Sequence, residues 1–270
     1  MPGWGWSIAG TAAMLLAAWS LLHPEFRPDT DTIAPSIREA LAKTGFAQTQ
    51  GVSAARMETI EAGGGVSEKW TVEQRIVPID GQMTEKRTQR QTNGAAKEST
   101  GLYVGPFAVI RYSRTSLSLV GSILPYHFWS SSQMSAFVVE EARGFPNTKG
   151  GNMRARVTYE DRYAGGEFAQ AESLRLTCEV ANLIDAVSIN PRLSGTAARI
   201  DCREELEPER SRVEPNRAIA SSVGSIGYSH WYVFNRGWST PIEGQRTVRF
   251  GDIEEVVRWN TKLVSFEPSR

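Results

Sequence analysis

Short runs of β-branched and aromatic residues, separated by turn dipeptides, recur along most of this chain, and a chain so punctuated folds mainly as antiparallel sheet. Residues 66–79 lead into Asp80-Gly81, and the polar run 82–92 leads into Asn93-Gly94. Both dipeptides tolerate the positive φ of a two-residue hairpin turn. Within the first run Trp70, Val72 and Ile76 share a parity and define one buried face, interrupted by Gln74. Further runs follow at 101–104, 107–120, 134–141, 153–159, 168–180, 197–205, 226–235 and 246–250. Residues 253–266 read as a strand, because Val256, Val257, Trp259, Leu263 and Val264 suit a pleated surface better than a helix. Charged, proline-bearing 204–217 reads as a long exposed connection. The sum is about ten short strands in an antiparallel sandwich or open barrel. One short helix precedes them at 35–44, opened by Pro35, carrying Ile37, Ala40 and Leu41 on one side and closed by Gly45.

The first residues have a different character. From Trp4 to Leu22 no side chain is ionisable, and as a helix this stretch spans about 28 Å, close to the hydrocarbon thickness of a bilayer. Trp4, Trp6 and Trp19 fall near its ends, where indoles favour the interface. Gly5, Ala9, Ala13 and Ala17 form one small-residue face, of the kind that lets two helices approach closely in lipid; alanine is also simply common in export segments. His23 and Pro24 end the run. An uncleaved anchor, an N-terminal transmembrane helix, is favoured over a cleaved signal peptide or a buried helix. No Lys or Arg precedes the segment, and 20–24 offers no small-x-small cleavage site. The expected division is therefore an anchor or signal at 1–23, a juxtamembrane linker at 24–34 and an extracytoplasmic β-rich domain at 35–270. The downstream acids Glu25, Asp29 and Asp31 favour an N-terminus inside, as in a single-pass protein of a bacterial inner membrane facing the periplasm. Cleavage would instead release the chain into the periplasm.

That address gives meaning to the two cysteines. Cys178 and Cys202 lie in similar settings, Leu-Thr-Cys and Ile-Asp-Cys, each two residues after an apolar one. In an oxidising compartment such a pair reads as one disulfide between neighbouring strands, both sulfurs on the buried face.

Chemistry is harder to find. With 30 basic and 30 acidic side chains the chain has no net charge, which argues against nucleic acid as a partner. Three histidines, His23, His127 and His230, are too few for a zinc centre unless carboxylates complete it. No H-E-x-x-H, G-x-S-x-G, P-loop or G-x-G-x-x-G pattern occurs, so no metal or cofactor is expected. The acidic pairs Glu140-Glu141, Glu204-Glu205 and Glu254-Glu255 point to opposite faces of a strand and read as solvated or ion-paired. Two aromatic clusters stand out: Tyr126, His127 and Trp129, and Tyr228, His230 and Tyr232. They form a candidate binding surface for a sugar, peptide or lipid, or else simply the core of a strand buried on both sides. The first expectation is a non-enzymatic, membrane-anchored interaction or structural protein, with a protein partner or a second copy of itself. The alternatives are a binding module for a small apolar or sugar ligand, and an envelope hydrolase using His127 or His230 as base. A pocket lined by the aromatic clusters would favour the second, a His beside a Ser and an acid the third, and a filled interior the first.

Overall fold

A computed structural model describes residues 29–47, 50–51, 53–80, 83–92, 95–117, 126–163, 168–207, 222–250 and 253–268. The segment 4–22 with its face Gly5, Ala9, Ala13 and Ala17, and most of the connection at 204–217, lie outside these residues. Among the described residues no helix is long and apolar enough to cross a membrane.

The short helix α1 (Pro35–Ala42) forms as the sequence predicts. Twelve strands follow: β1 (Ser53–Gly63), β2 (Val66–Pro78), β3 (Thr84–Gln91), β4 (Ala95–Val104), β5 (Phe107–Leu117), β6 (Tyr126–Arg143), β7 (Asn152–Tyr163), β8 (Phe168–Asp185), β9 (Thr196–Leu206), β10 (Ser222–Val233), β11 (Trp238–Phe250) and β12 (Ile253–Pro268). Each pairs antiparallel with its sequence neighbours, and β1 pairs with β12 as well as β2. The sheet is thus a closed up-and-down barrel rather than a sandwich or an open barrel of about ten strands. Closure rests on β1, for which the sequence reading has no strand. Its inward residues Ala55, Met57, Thr59 and Glu61 alternate with Arg56, Glu58 and Ile60, a pattern without the usual β-branched signature.

Closure removes every sheet edge and leaves each strand one face inside and one outside. The outer face is charged. Arg156 bridges Glu140 at 2.8 Å and Glu207 at 3.0 Å; Arg175 reaches the same Glu207 at 3.0 Å, and Arg154 grips Glu141.

The inside is divided into two storeys, because twelve strands enclose a lumen wider than side chains alone fill. At the end where β2 turns into β3 and β4 into β5, the lumen is packed. Phe46, in the segment after α1, enters as a plug. Its ring meets Phe107, Phe145 and Tyr232 edge-on, at 5.6, 5.5 and 4.8 Å between centroids. It lies directly over Gly105, which takes positive φ and where any Cβ would come within 2.8 Å of the ring. Above Phe46 lie Phe137, Met153, Val157, Leu176 and Ile200, all buried, and a second cluster packs Trp238 against Phe266. α1 rests on β6 with Ile37 and Leu41 buried, and Arg38 ties it to Asp80 at 3.5 Å.

The disulfide joins Cys178 of β8 to Cys202 of β9, directly opposite partners with Cα atoms 4.1 Å apart. Both cysteines are buried among the inward residues, as their spacing from Leu176 and Ile200 predicts.

Candidate functional site

In the other storey, toward the β1–β2 turn, the inward residues change from apolar to ionisable and the packing opens into a chamber of about 660 Å³. The same alternation that buries Met57 and Thr59 carries Glu61 inward, and the strands around it supply the rest by parity. Arg90 faces its direct partner Lys97 across β3 and β4, and Arg111 stands opposite Gly101 on β5. Gly101 is needed there, since a Cβ would approach the Ile110 carbonyl oxygen to 2.5 Å. On the far side Asp161 follows Tyr159 on β7, Glu172 pairs with Tyr159 from β8, and Glu204 follows the packed storey on β9.

The charges separate by sign. Arg246, Arg90, Lys97 and Arg111 occupy the arc from β11 through β1 to β5, with Glu61 bridging two of them: it accepts from Arg90 Nη2 at 3.1 Å and Arg246 Nη2 at 3.0 Å. Asp161, Glu172 and Glu204 occupy the arc β7–β9. Burial raises the pKa of all three carboxyls; a hydrogen bond from Ser132 and then Arg111 draw Asp161 back toward the charged form, and Tyr228, which donates at 2.8 Å, and then Arg111 do the same for Glu204. Lys97 is pulled down to about 8, first by burial and then by Arg111, Arg90 and Arg246. Arg111 itself makes no hydrogen bond or ion pair with the described residues, and its side chain is accessible to water within the lumen.

Tyr159, Tyr228 and His230 form the floor between the storeys. Tyr159 donates to the Ala108 carbonyl at 3.1 Å. His230 is enclosed, its Nδ1 has no partner, and burial with Lys86 nearby lowers its pKa to about 3, so the imidazole is neutral. Below it Lys86 Nζ donates to Ser239 Oγ at 2.9 Å and to the Gly105 and Ser239 carbonyls, with the Tyr103 ring 4.7 Å away. Trp259 closes the opposite wall, flat over Gly244, where a Cβ would sit 2.2 Å from the indole.

The sequence candidates divide. Tyr228 and His230 reach the chamber. Tyr232, the next inward residue of β10, lies in the packed storey, its hydroxyl accepting from the Ala47 amide at 2.6 Å. Tyr126, His127 and Trp129 pair with Leu117, Ser116 and Arg114 at the start of β6, and their side chains lie outside the described residues. Of the acidic pairs, Glu140 and Glu141 are ion-paired as expected but share the outer wall rather than opposite faces, because the register shifts between Val139 and Glu141, whereas Glu204 is not a solvated group but a chamber residue. The cationic arc has no counterpart in the sequence reading; the available signal was the shared parity of Lys86, Thr88 and Arg90 within the polar run 82–92. Among the described residues no three His, Cys, Asp or Glu converge as metal ligands.

A closed antiparallel barrel with a plugged end and a two-signed polar chamber is the class that fold and site define. Compared with family models, with curated proteins and with solved structures, the chain matches none.

Proposed function

We propose that this chain is an extracytoplasmic binding module, held to a membrane by 4–22, that takes a small molecule into the polar storey of its barrel. The observation that carries the reading is the chamber itself. A structural or docking barrel gains nothing from ionisable groups turned into its lumen, where desolvation works against them, whereas a ligand site needs a few convergent polar groups on a partly apolar wall. Tyr159, Tyr228, Leu174 and Trp259 supply that wall. The volume of about 660 Å³ falls in the range of small-molecule sites. The hydrolase reading has less support, because no Ser or acid among the described residues hydrogen-bonds to His230.

The test is equilibrium dialysis of the full chain, purified in mild detergent, against para-nitrophenyl phosphate, para-nitrobenzoate, para-nitrophenyl glucoside and para-nitrobenzyl trimethylammonium. At least one should bind with one-to-one stoichiometry. Ser132→Trp, which fills the chamber from β6, should abolish that binding, while Arg175→Gln on the outer wall should leave it intact. Absence of binding by all four, or binding that survives the filled chamber, overturns the proposal.

A further inference from the structure

We infer that the ligand is a small acidic molecule whose oxyanion, a carboxylate or a phosphate monoester, seats against Arg111, in a positive field that Lys97 reinforces, with hydrogen-bond donors on its body facing Asp161 and Glu204. This rests on the binding-module reading and adds the chemistry of the ligand.

Three observations converge on it. Of the cations that line the chamber, Arg90 and Arg246 are engaged by Glu61, but Arg111 has no hydrogen bond or ion pair among the described residues, and neither has Lys97, which is within electrostatic reach of it. A guanidinium turned into an enclosed lumen without an acceptor keeps its donor fork available, and that fork matches the geometry of carboxylate and phosphate. Second, the cations crowd one another: burial first and then repulsion from Arg111, Arg90 and Arg246 lower the pKa of Lys97, and a bound anion would relieve the repulsion. Third, the opposite arc carries acceptors. Glu204 and Asp161 are within electrostatic reach of Arg111 across the chamber, so a ligand lying between them meets cations at one end and carboxylates along its flank. The neutral His230 adds an unpartnered Nδ1 on the floor. A wholly apolar ligand would leave Arg111 and the His230 Nδ1 without partners.

The same dialysis separates this inference from the reading beneath it. Para-nitrophenyl phosphate or para-nitrobenzoate should bind at least about tenfold more tightly than the glucoside, as a charge-assisted contact to arginine allows. Whichever of the two binds more tightly identifies the oxyanion. Arg111→Gln should bring the anion down to the level of the glucoside, and Arg111→Lys should restore part of the difference, because a point charge replaces the fork. Lys97→Met should weaken the anion less than Arg111→Gln. The advantage of the anion should shrink between low and high salt. If the glucoside or the trimethylammonium compound binds as well as the anions, or if Arg111→Gln binds anions normally while its far-ultraviolet circular dichroism is unchanged, the inference is overturned and the binding module stands. If nothing binds, both fall.

Discussion

Replacing both Cys178 and Cys202 by Ala should cost about 4–5 kcal/mol. The larger part comes from the unfolded chain. The cross-link spans a sequence separation of 24, and closing a loop of that size removes about 3.5 kcal/mol of unfolded-state entropy in the chain-entropy model. The smaller part comes from the native core, where both residues are buried beside Met153 and Ile200. Removing two sulfurs there adds about 1 kcal/mol in lost contacts and residual space. For a chain of this length the sum corresponds to a fall in melting temperature of roughly 10–15 °C. Urea denaturation of the full chain, with and without the substitutions, should show the midpoint shift at unchanged slope. Each single variant should lose more than half as much as the double, since either one breaks the whole cross-link. A loss under about 1 kcal/mol would refute the entropic argument. Two reactive thiols in protein unfolded without reductant would refute the bond itself.

Two further outcomes follow from the lumen. Burial lowers Lys86 to about 7, below its ordinary value of 10.5, so between those limits the unfolded chain holds more protons than the folded one and stability should rise with pH. Urea midpoints measured from pH 7 to 9.5 should climb in the natural chain and stay flatter in Lys86→Met; parallel curves would refute the assignment. Gly244→Val should displace Trp259 and cost about 2–3 kcal/mol with a changed near-ultraviolet spectrum, because overpacking against a fixed ring cannot relax. Gly227→Ala, where an added Cβ meets nothing within 4 Å, is the control and should stay within about 0.5 kcal/mol. Equal effects at the two glycines would remove the basis for the close approach.

Hairpin turns, apolar parity and the likeness of the two cysteine flanks made the sheet and the disulfide legible, because each is a local signal with a period of two. Closure was not local. A sandwich and a barrel share the same alternation, and what distinguishes them is a single strand pairing at both its edges. In β1 that strand presents Ala55, Met57, Thr59 and Glu61 to the lumen, residues that look like loop or helix in isolation. The start of β6 was hidden for a related reason. The expected run begins only at 134, whereas β6 starts at Tyr126 and passes through Ser130 to Ser132, whose small side chains leave the chamber its width.

The chamber was hidden because a charged residue on an alternating strand has the same appearance whether it faces water outside or a lumen inside. Only the closed register separates the two, and it reveals an order that the outer wall lacks. Following the inward residues from the plugged end toward the β1–β2 turn, β1 passes from Ala55 and Met57 to Thr59 and Glu61, and β7 from Met153, Ala155 and Val157 to Tyr159 and Asp161. On β8, running the other way, the order is Cys178, Leu176, Leu174 and then Glu172, and on β9 Ile200, Cys202 and then Glu204. Strands of opposite direction change character in the same part of the barrel. Solvation of individual strands would not align their polarity in this way, since each strand could place its charges anywhere on an outer face. Turning them inward at one end costs stability through desolvation, and such a departure from the most stable core is what a functional site requires. The plugged storey supplies the compensating burial: aromatic packing around Phe46, a cross-linked β8–β9 pair and a second cluster at Trp238 hold the frame, while the polar storey is left to the ligand.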